Sequence, residues 1–170
     1  MRSHHEGASA RQSGCEKVKA LFQRVRRGGV TVDGEPAASI GPGAVVLLGI
    51  RTGDTADDAR YLARRTANLR VFGDETGRMN RSVRDTGGSI LVVSQFTLYA
   101  DTRKGNRPSF VQAGDPAEAE RLYEVYVAAL RAALGDERVQ TGRFGAMMQV
   151  EIVNDGPVTI EIRSERGEGS

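Results

Sequence analysis

The sequence predicts a single α/β domain, of the α+β-like kind, in which a mixed and largely antiparallel sheet, or a barrel-like double sheet, is layered with two helices. Three observations predict this fold. Several short segments alternate apolar and polar residues, two segments repeat apolar residues with a helical period, and 170 residues is the length of one ordinary domain. The domain is expected to span residues 18–163, between flexible tails at 1–17 and 164–170.

The first part of the domain is predicted to consist of strands. Residues Val18–Val25 alternate as a strand buried on both faces would, and Val30–Val32 leads into Asp33-Gly34, a strong hairpin signal. Residues Glu35–Ile40 then return antiparallel. The apolar run Ala44–Ile50 is typical of a central, fully buried strand.

Two segments carry the helical period. The first is capped by Asp54 or Thr55, and the second begins at the cap Asp115 with Pro116 in first position and ends before Gly135. The expected inward face of the first helix consists of Ala59, Leu62, Ala63, Thr66 and Leu69.

Four more strand segments follow the first helix. Ser89–Val93 feeds Ser94–Tyr99, and Val139–Phe144, Met147–Val153 and Val158–Ile162 follow the second helix. A Gly156-Pro157 turn is expected to join the last two strands, where a glycine lets the backbone approach a ligand and an X-Pro bond tolerates the cis form.

Composition excludes several functional classes. The 24 basic and 22 acidic residues leave a net charge of +2, too small to indicate nucleic-acid binding by itself, and no apolar run is long enough to span a bilayer. The single cysteine, Cys15, indicates a reducing and therefore cytoplasmic location. The only histidines, His4 and His5, lie in the tail, which argues against a catalytic triad and a histidine-bound zinc, so no metal or cofactor is expected.

Two segments between the helices are candidates for binding chemistry. Ser94, Gln95 and Thr97 bring three neutral polar side chains to a strand end, although a solvated strand end with Phe96 in the core is the alternative interpretation. The following loop ADTRKGNRPSF, residues 100–110, combines positive charges with a terminal aromatic and suits an RNA backbone. Its candidate tRNA-binding residues are Arg103, Lys104 and Arg107.

Four stretches together resemble one protein family. SQFTLYADTRKGNRPSF at 94–110 and NDGPVT at 154–159, with FQRV at 22–25 and FGAMMQV at 144–150, are similar to the D-aminoacyl-tRNA deacylases. The resemblance covers Val18 to Ile162. The chain departs from the family at Gly28-Gly29, where Ala-Ser is more frequent.

The resemblance implies a cytoplasmic homodimer that hydrolyses the ester joining a D-amino acid to tRNA, and also the ester of glycyl-tRNA, as proofreading for translation. It implies a cis Gly156-Pro157 bond whose turn enters the pocket of the other subunit and rejects L-amino acids, with Arg24 holding the turn. A related animal deacylase of relaxed specificity has PQATL and TNGP at these two places, whereas this chain has SQFTL and NDGPVT. The resemblance therefore favours a filter that is strict for D-amino acids. The implied catalytic residues are Ser94, Gln95, Phe96 and Thr97, and the implied pocket residues are Phe144, Gly145, Ala146 and Met147.

Two mechanisms and two other functions stay open at this stage. Thr97 is a possible nucleophile, but no histidine is available to activate it. Alternatively, the ribose 2′-OH of the terminal adenosine assists water while backbone groups near Phe96 and Thr97 stabilise the oxyanion. The competing functions are a non-catalytic RNA-binding module and, with the least support, a dimeric scaffold.

Overall fold

The computed structural model describes residues 18–164, in which one six-stranded sheet is covered by helices. The strands are β1 Lys19–Val32, β2 Glu35–Ile40, β3 Gly43–Gly49, β4 Phe72–Gly73, β5 Met79–Arg81, β6 Ser89–Ser94, β7 Val139–Thr141 and β8 Met148–Arg163. The sheet has the order β2-β1-β3-β6-β7, and β8 pairs with β1 from one end of β1 to the other; β4 and β5 form a separate hairpin. The helices are α1 Ala56–Asn68, α2 Val83–Thr86 and α3 Pro116–Leu134, with short 3₁₀ turns at Phe96–Tyr99 and Asp136–Arg138.

The sheet is mixed and nearly closed into a barrel, which confirms the predicted fold class. β1 runs antiparallel to β2, β3 and β8, whereas β3, β6 and β7 are parallel. Alternate residues of β3 contribute to two apolar clusters, because Val45 packs inside the barrel and Val46 packs towards the helices. The central strand is therefore buried on both faces, as its continuous apolar run predicts. The short helix α2 was not predicted.

β1 is one strand of 14 residues rather than the two separate strands that the sequence predicts. Gly28 pairs with Ile40 of β2 on one side and with Ile152 of β8 on the other, so the ladder continues through the glycines. A Cβ on Gly28 would lie 2.5 Å from Cγ2 of Val45. The departure from the family at this position therefore accompanies a close contact across the barrel interior.

The two long helices begin where their caps predict. Thr55 and Asp58 form a reciprocal capping box at α1, and Asp115 accepts the Glu118 N–H at the start of α3. The predicted inward face of α1 is confirmed, because four of its residues are buried and Leu69, at the C-cap, packs half-buried against the core. Ala67 is buried as well. No helix within residues 18–164 is both long and apolar enough to cross a bilayer.

Several boundaries differ from the expectation. Ser94–Tyr99 does not continue β6 as a strand but turns into the 3₁₀ segment, and β7 ends at Thr141. Ser164, placed in the C-terminal tail, is buried and donates its N–H to the carbonyl of Val18. The predictions for the tails, including Cys15, His4 and His5, fall on residues 1–17 and 165–170, outside the described residues.

Candidate functional site

A cavity of about 580 Å³ opens where β6 ends. Its walls come from the end of β6, the loop that leads into α3, the first turn of α3 and the segment that leads into β8. These elements meet because Gly114 donates its N–H to Ile50 at 3.0 Å and thereby draws the loop across the end of β3. The lining residues are Ile50, Val93, Ser94, Gln95, Phe96, Phe110, Ala113, Gly114, Pro116, Ala119, Phe144, Gly145, Ala146, Met147, Met148 and Val150.

The Ser94–Thr97 segment forms one wall. The Gln95 N–H donates to the carbonyl of Leu48 at 2.8 Å, after which the chain leaves the sheet in a 3₁₀ turn. Phe96 is 58% exposed and packs edge-on against Phe110, with ring centroids 5.0 Å apart. The alternative that placed Phe96 in the core is therefore wrong, because the turn directs its ring to the mouth of the cavity.

Thr97 lies beside the cavity rather than on its wall. Its hydroxyl accepts a hydrogen bond from the Gln95 side-chain amide, while Ser94, Gln95 and Phe96 are lining residues and Thr97 is not. Three of the four predicted catalytic residues thus line the cavity. The fourth, Thr97, lies behind the wall and is hydrogen-bonded to the lining residue Gln95.

The predicted pocket segment Phe144–Met147 forms the opposite wall. It turns at Gly145, whose φ of +74° favours glycine, and the Ala146 N–H donates to Arg143 at 3.2 Å. The Phe144 ring packs against Tyr123, with centroids 5.7 Å apart, and Met147 is 88% exposed. The structure brings all four residues of this segment to the same cavity as Ser94.

The cavity lining is uncharged. Its polar side chains are those of Ser94 and Gln95, and the remaining lining residues offer apolar surface and backbone groups. Tyr123, behind Phe144, donates its hydroxyl to the Val92 carbonyl at 3.0 Å, and burial raises its pKa to about 12. The lining can hold apolar groups and donate hydrogen bonds, but it offers no side chain that exchanges a proton near neutral pH.

The Gly156-Pro157 segment forms a bulge inside one long strand rather than a turn between two strands. β8 is continuous, and Gln23 pairs with Thr159 while Val25 pairs with Asn154, so the strand leaves the ladder between these pairs. Asn154 closes the bulge by accepting the Val158 N–H at 3.0 Å. The Gly156-Pro157 bond is cis, and both residues are exposed.

Arg24 holds this bulge, as the resemblance implies. Its Nε donates to the carbonyl of Asp155 at 3.0 Å and its Nη1 donates to the carbonyl of Val71 at 2.6 Å. A Cβ on Gly156, which has a φ of +126°, would lie 2.9 Å from Nη2 of Arg24. The bulge does not line the cavity of its own chain.

The basic loop is closed by paired hydrogen bonds between Asp101 and Ser109 at 2.7 and 2.9 Å. Asp101 binds the Arg103 guanidinium through both oxygens, and these bonds lower the pKa of Asp101 to about 2. Lys104 and Arg107 are exposed. Of the three predicted tRNA-binding residues, Arg103 is therefore already bound to a carboxylate.

Sequence reasoning missed part of the cavity wall. Ala113, Gly114 and Ala119 line it because the loop before α3 is tied to the end of β3, and no local pattern marks this long-range contact. The sequence did single out Phe110, because it is the aromatic residue at the end of the basic loop. Within residues 18–164, no three His, Cys, Asp or Glu side chains are grouped so that they could hold a metal ion.

Comparison with known proteins points to one group. A family model described as D-Tyr-tRNA(Tyr) deacylase matches residues 21–163. A D-aminoacyl-tRNA deacylase of Heliobacterium modesticaldum is 58% identical over 89% of this chain and 99% of its own length, and one of Halalkalibacterium halodurans is 53% identical over 87% and 100%. A solved protein named c-Myc DNA Unwinding Element Binding Protein is 48% identical, with a TM-score of 0.81 over 85% of this chain and 97% of that chain.

Fold, cavity and relatives together define the class of aminoacyl-tRNA deacylases, which are ester hydrolases. The chain belongs to the D-Tyr-tRNA(Tyr) deacylase family. The family assignment confirms the resemblance seen in the sequence, which rested on the segments that form the cavity and the bulge.

Proposed function

We propose that this chain, as a D-aminoacyl-tRNA deacylase, binds the esterified end of its substrate in the 580 Å³ cavity and hydrolyses the ester there. The family and the relatives support the reaction. The location is supported by the geometry, because the SQFTL and FGAMMQV segments, far apart in the chain, form facing walls of one cavity.

The uncharged lining is the observation that carries the mechanism. Ester hydrolysis needs an activated nucleophile, and neither a base nor an acid lies on the wall. The Thr97 hydroxyl accepts the Gln95 side-chain amide, and no histidine is present in residues 18–164 to remove the hydroxyl proton and make Thr97 a nucleophile. We therefore favour the ribose 2′-OH of the terminal adenosine as the group that orients or activates the attacking water.

The oxyanion of the tetrahedral intermediate needs donors, and the backbone offers them. Phe96 and Thr97 open the 3₁₀ turn, where no preceding turn supplies carbonyl partners for their N–H groups. Neither N–H donates a backbone hydrogen bond among the residues of the described chain. Fixed N–H donors at a site without water stabilise a developing oxyanion by several kcal/mol, roughly 3 to 4 for a single donor.

Chiral selection is assigned to the Gly156-Pro157 bulge of a second subunit. The bulge is exposed, is fixed by Arg24 and does not face its own cavity. The rim of the cavity carries exposed apolar side chains at Phe96, Phe110 and Met147, which a second copy of the chain would cover. A rigid backbone wall would clash with an L side chain and admit a D side chain or glycine.

The loop residues Lys104 and Arg107 are proposed to contact the tRNA backbone, with Arg103 contributing less because Asp101 binds it. The homodimer, the tRNA contacts and the cytoplasmic location predicted from the sequence all belong to this proposal.

The test is release of amino acid from tRNA charged with D-tyrosine, L-tyrosine or glycine, at catalytic enzyme concentration and without added metal. We expect rapid loss of the D-ester, slower loss of the glycyl ester and no loss of the L-ester above the spontaneous rate. Binding of tRNA without turnover of any ester would instead support a non-catalytic RNA-binding module. Equal rates on the D- and L-esters would contradict the filter while leaving the hydrolase intact.

A further inference from the structure

A second groove, of about 460 Å³, lies along the C-terminal half of α1. It is lined by Tyr61, Arg64, Arg65, Asn68, Leu69 and Arg70, three arginines without an acidic residue. The whole chain has a net charge of only +2, so this groove, which we call the α1 groove, concentrates positive charge far beyond the average of the molecule.

The arginines of the α1 groove keep their charge available. The Arg64 guanidinium lies 5.9 Å from the centroid of the Tyr61 ring, and Arg65 is exposed without a recorded ion pair in the described chain. Arg70 donates to the Asn80 carbonyl at 2.9 Å and to its side-chain oxygen at 2.6 Å. The Asn80 side-chain amide in turn donates to Asp74 at 2.8 Å, so Arg70 reaches that carboxylate only through a neutral amide. Hydrogen bonds from Ser82 lower the pKa of the Asp85 carboxyl, and the Arg70 charge helps to lower it.

This chemistry suits a phosphodiester backbone. Guanidinium groups bind phosphate through paired N–H donors, and a tyrosine beside them offers a flat face to a ribose or a base. Asp57 and Asp58 line the adjoining pocket beside Tyr61 and Arg64, at the N-terminal end of α1. The lining of the α1 groove itself has three arginines and no carboxylate, which favours a polyanion over a peptide of mixed charge.

Hydrogen bonds from one side chain link the end of the α1 groove to the bulge. Its last residue, Arg70, is followed by Val71, whose carbonyl accepts Arg24 Nη1 at 2.6 Å, and the same guanidinium donates from Nε to Asp155 at 3.0 Å. One side chain thus joins the edge of the groove to the residue before Gly156. If the bulge enters the cavity of a second subunit, the α1 groove lies beside the substrate bound in that cavity, because the groove and the bulge are neighbours.

We propose that the α1 groove of one subunit binds phosphates of the tRNA acceptor end whose ester lies in the cavity of the partner subunit. The inference rests on the proposed function, in particular on the homodimer in which each bulge serves the other cavity. The catalytic unit then has two tRNA contacts from different subunits, the loop with Lys104 and Arg107 on the cavity side and the α1 groove on the bulge side.

The first experiment replaces Arg64→Gln and Arg65→Gln together and measures kcat and KM on D-tyrosyl-tRNA and on the small ester D-tyrosyl-adenosine, which has no phosphate. We expect KM for the charged tRNA to rise about tenfold with kcat little changed, and the slope of log KM against log salt concentration to fall by about two. KM for the small ester should not rise. The matched control is Arg121→Gln, an exposed α3 arginine outside the groove.

The outcomes separate the two proposals. If the double variant kept the wild-type KM and salt slope for charged tRNA, the groove inference would be overturned. Hydrolysis of both substrates by the wild type would still support the proposed function. No hydrolysis of either D-ester by the wild type would overturn the function itself. An equal rise of KM on the small ester, or in the Arg121→Gln control, would overturn a specific phosphate contact.

A mixed dimer tests the assignment to the partner. One subunit carries the two groove substitutions with an intact cavity, and the other carries Ala146→Trp, which fills its cavity, with an intact groove. The single working cavity then faces an intact groove of the other subunit, and we expect the wild-type KM for D-tyrosyl-tRNA. A KM raised as in the double variant would show that each groove serves its own cavity and would overturn the inference.

Discussion

The cavity end and the bulge end of this chain are opposites. The cavity offers space, an uncharged wall and exposed apolar side chains at its rim. The bulge offers backbone held by Arg24 and charged side chains nearby, but it encloses no cavity of its own. Each end supplies what the other lacks, as the proposed site with one end from each of two subunits requires.

In the proposed function the two ends have different roles. Ester hydrolysis takes place at the uncharged cavity, and chiral recognition depends on the backbone of the bulge that Arg24 holds. The two ends should therefore respond differently to substitution, with rate effects at one and selectivity or affinity effects at the other.

The largest effect is expected from the substrate rather than from the protein. Because the cavity wall has no base, D-tyrosyl-tRNA with a 2′-deoxy terminal adenosine should be hydrolysed about 10² to 10⁴ times more slowly. Thr97→Val, which removes a hydroxyl while keeping the shape, should lower kcat less than about tenfold by comparison. Single-turnover rates measure both. A severe loss in Thr97→Val together with normal turnover of the deoxy substrate would make Thr97 the nucleophile.

A smaller effect, about 100-fold in kcat/KM on D-tyrosyl-tRNA, is expected from Gly156→Ala at the bulge. The added Cβ meets the Arg24 guanidinium at 2.9 Å and Val158 at 3.0 Å, at a φ of +126° that a residue with a side chain rarely adopts. Both the position and the packing of the wall should change, and thermal unfolding checks that the fold persists.

Gly41→Ala is the control for this substitution, since no atom lies within 4 Å of the added Cβ. If Gly156→Ala folded normally and retained wild-type selectivity between D- and L-esters, the bulge would lose its role as the filter.

The smallest effect concerns stability at the cavity end. Asp54 accepts the N–H groups of Val18 and Arg51, and Arg51 pairs with Ala113 in the cavity wall. Burial raises the pKa of Asp54 from 3.8 to about 6, against the lowering effect of these hydrogen bonds. Between these two values the folded chain binds more protons than the unfolded chain, so this carboxyl lowers the free energy of unfolding as pH rises through that interval.

Urea unfolding of the wild type and Asp54→Asn at pH 4, 5, 6 and 7 measures this contribution. The difference in unfolding free energy, wild type minus variant, should decrease from pH 4 to 6 and then level off. Asp57→Asn, three residues further on in the first turn of α1, controls for the loss of an exposed carboxylate. If the difference did not vary with pH, the pKa of Asp54 in the folded chain would be its ordinary value, which would contradict the prediction.

Much of the fold could be predicted because its signals are local. The caps at Thr55 and Asp115, the Asp33-Gly34 hairpin and the apolar run of β3 each depend on neighbours within a few residues. The predictions were wrong where contacts between distant residues determine the path of the chain. Phe96 leaves the core because Gln95 bonds to Leu48 and the chain turns, which an alternating pattern cannot reveal.

By itself the sequence determined the two long helices, the central strand β3 and the family, because caps, periodicity and motifs depend on residues that are close together in the chain. The tertiary structure alone decided that two of these segments face each other across an uncharged cavity, that Gly156-Pro157 forms a bulge in a continuous strand, and that Arg24 joins this bulge to Val71. These features depend on strand register and on contacts between distant residues, such as Arg24 and Asp155, which are 131 positions apart, and packing of the whole chain selects them.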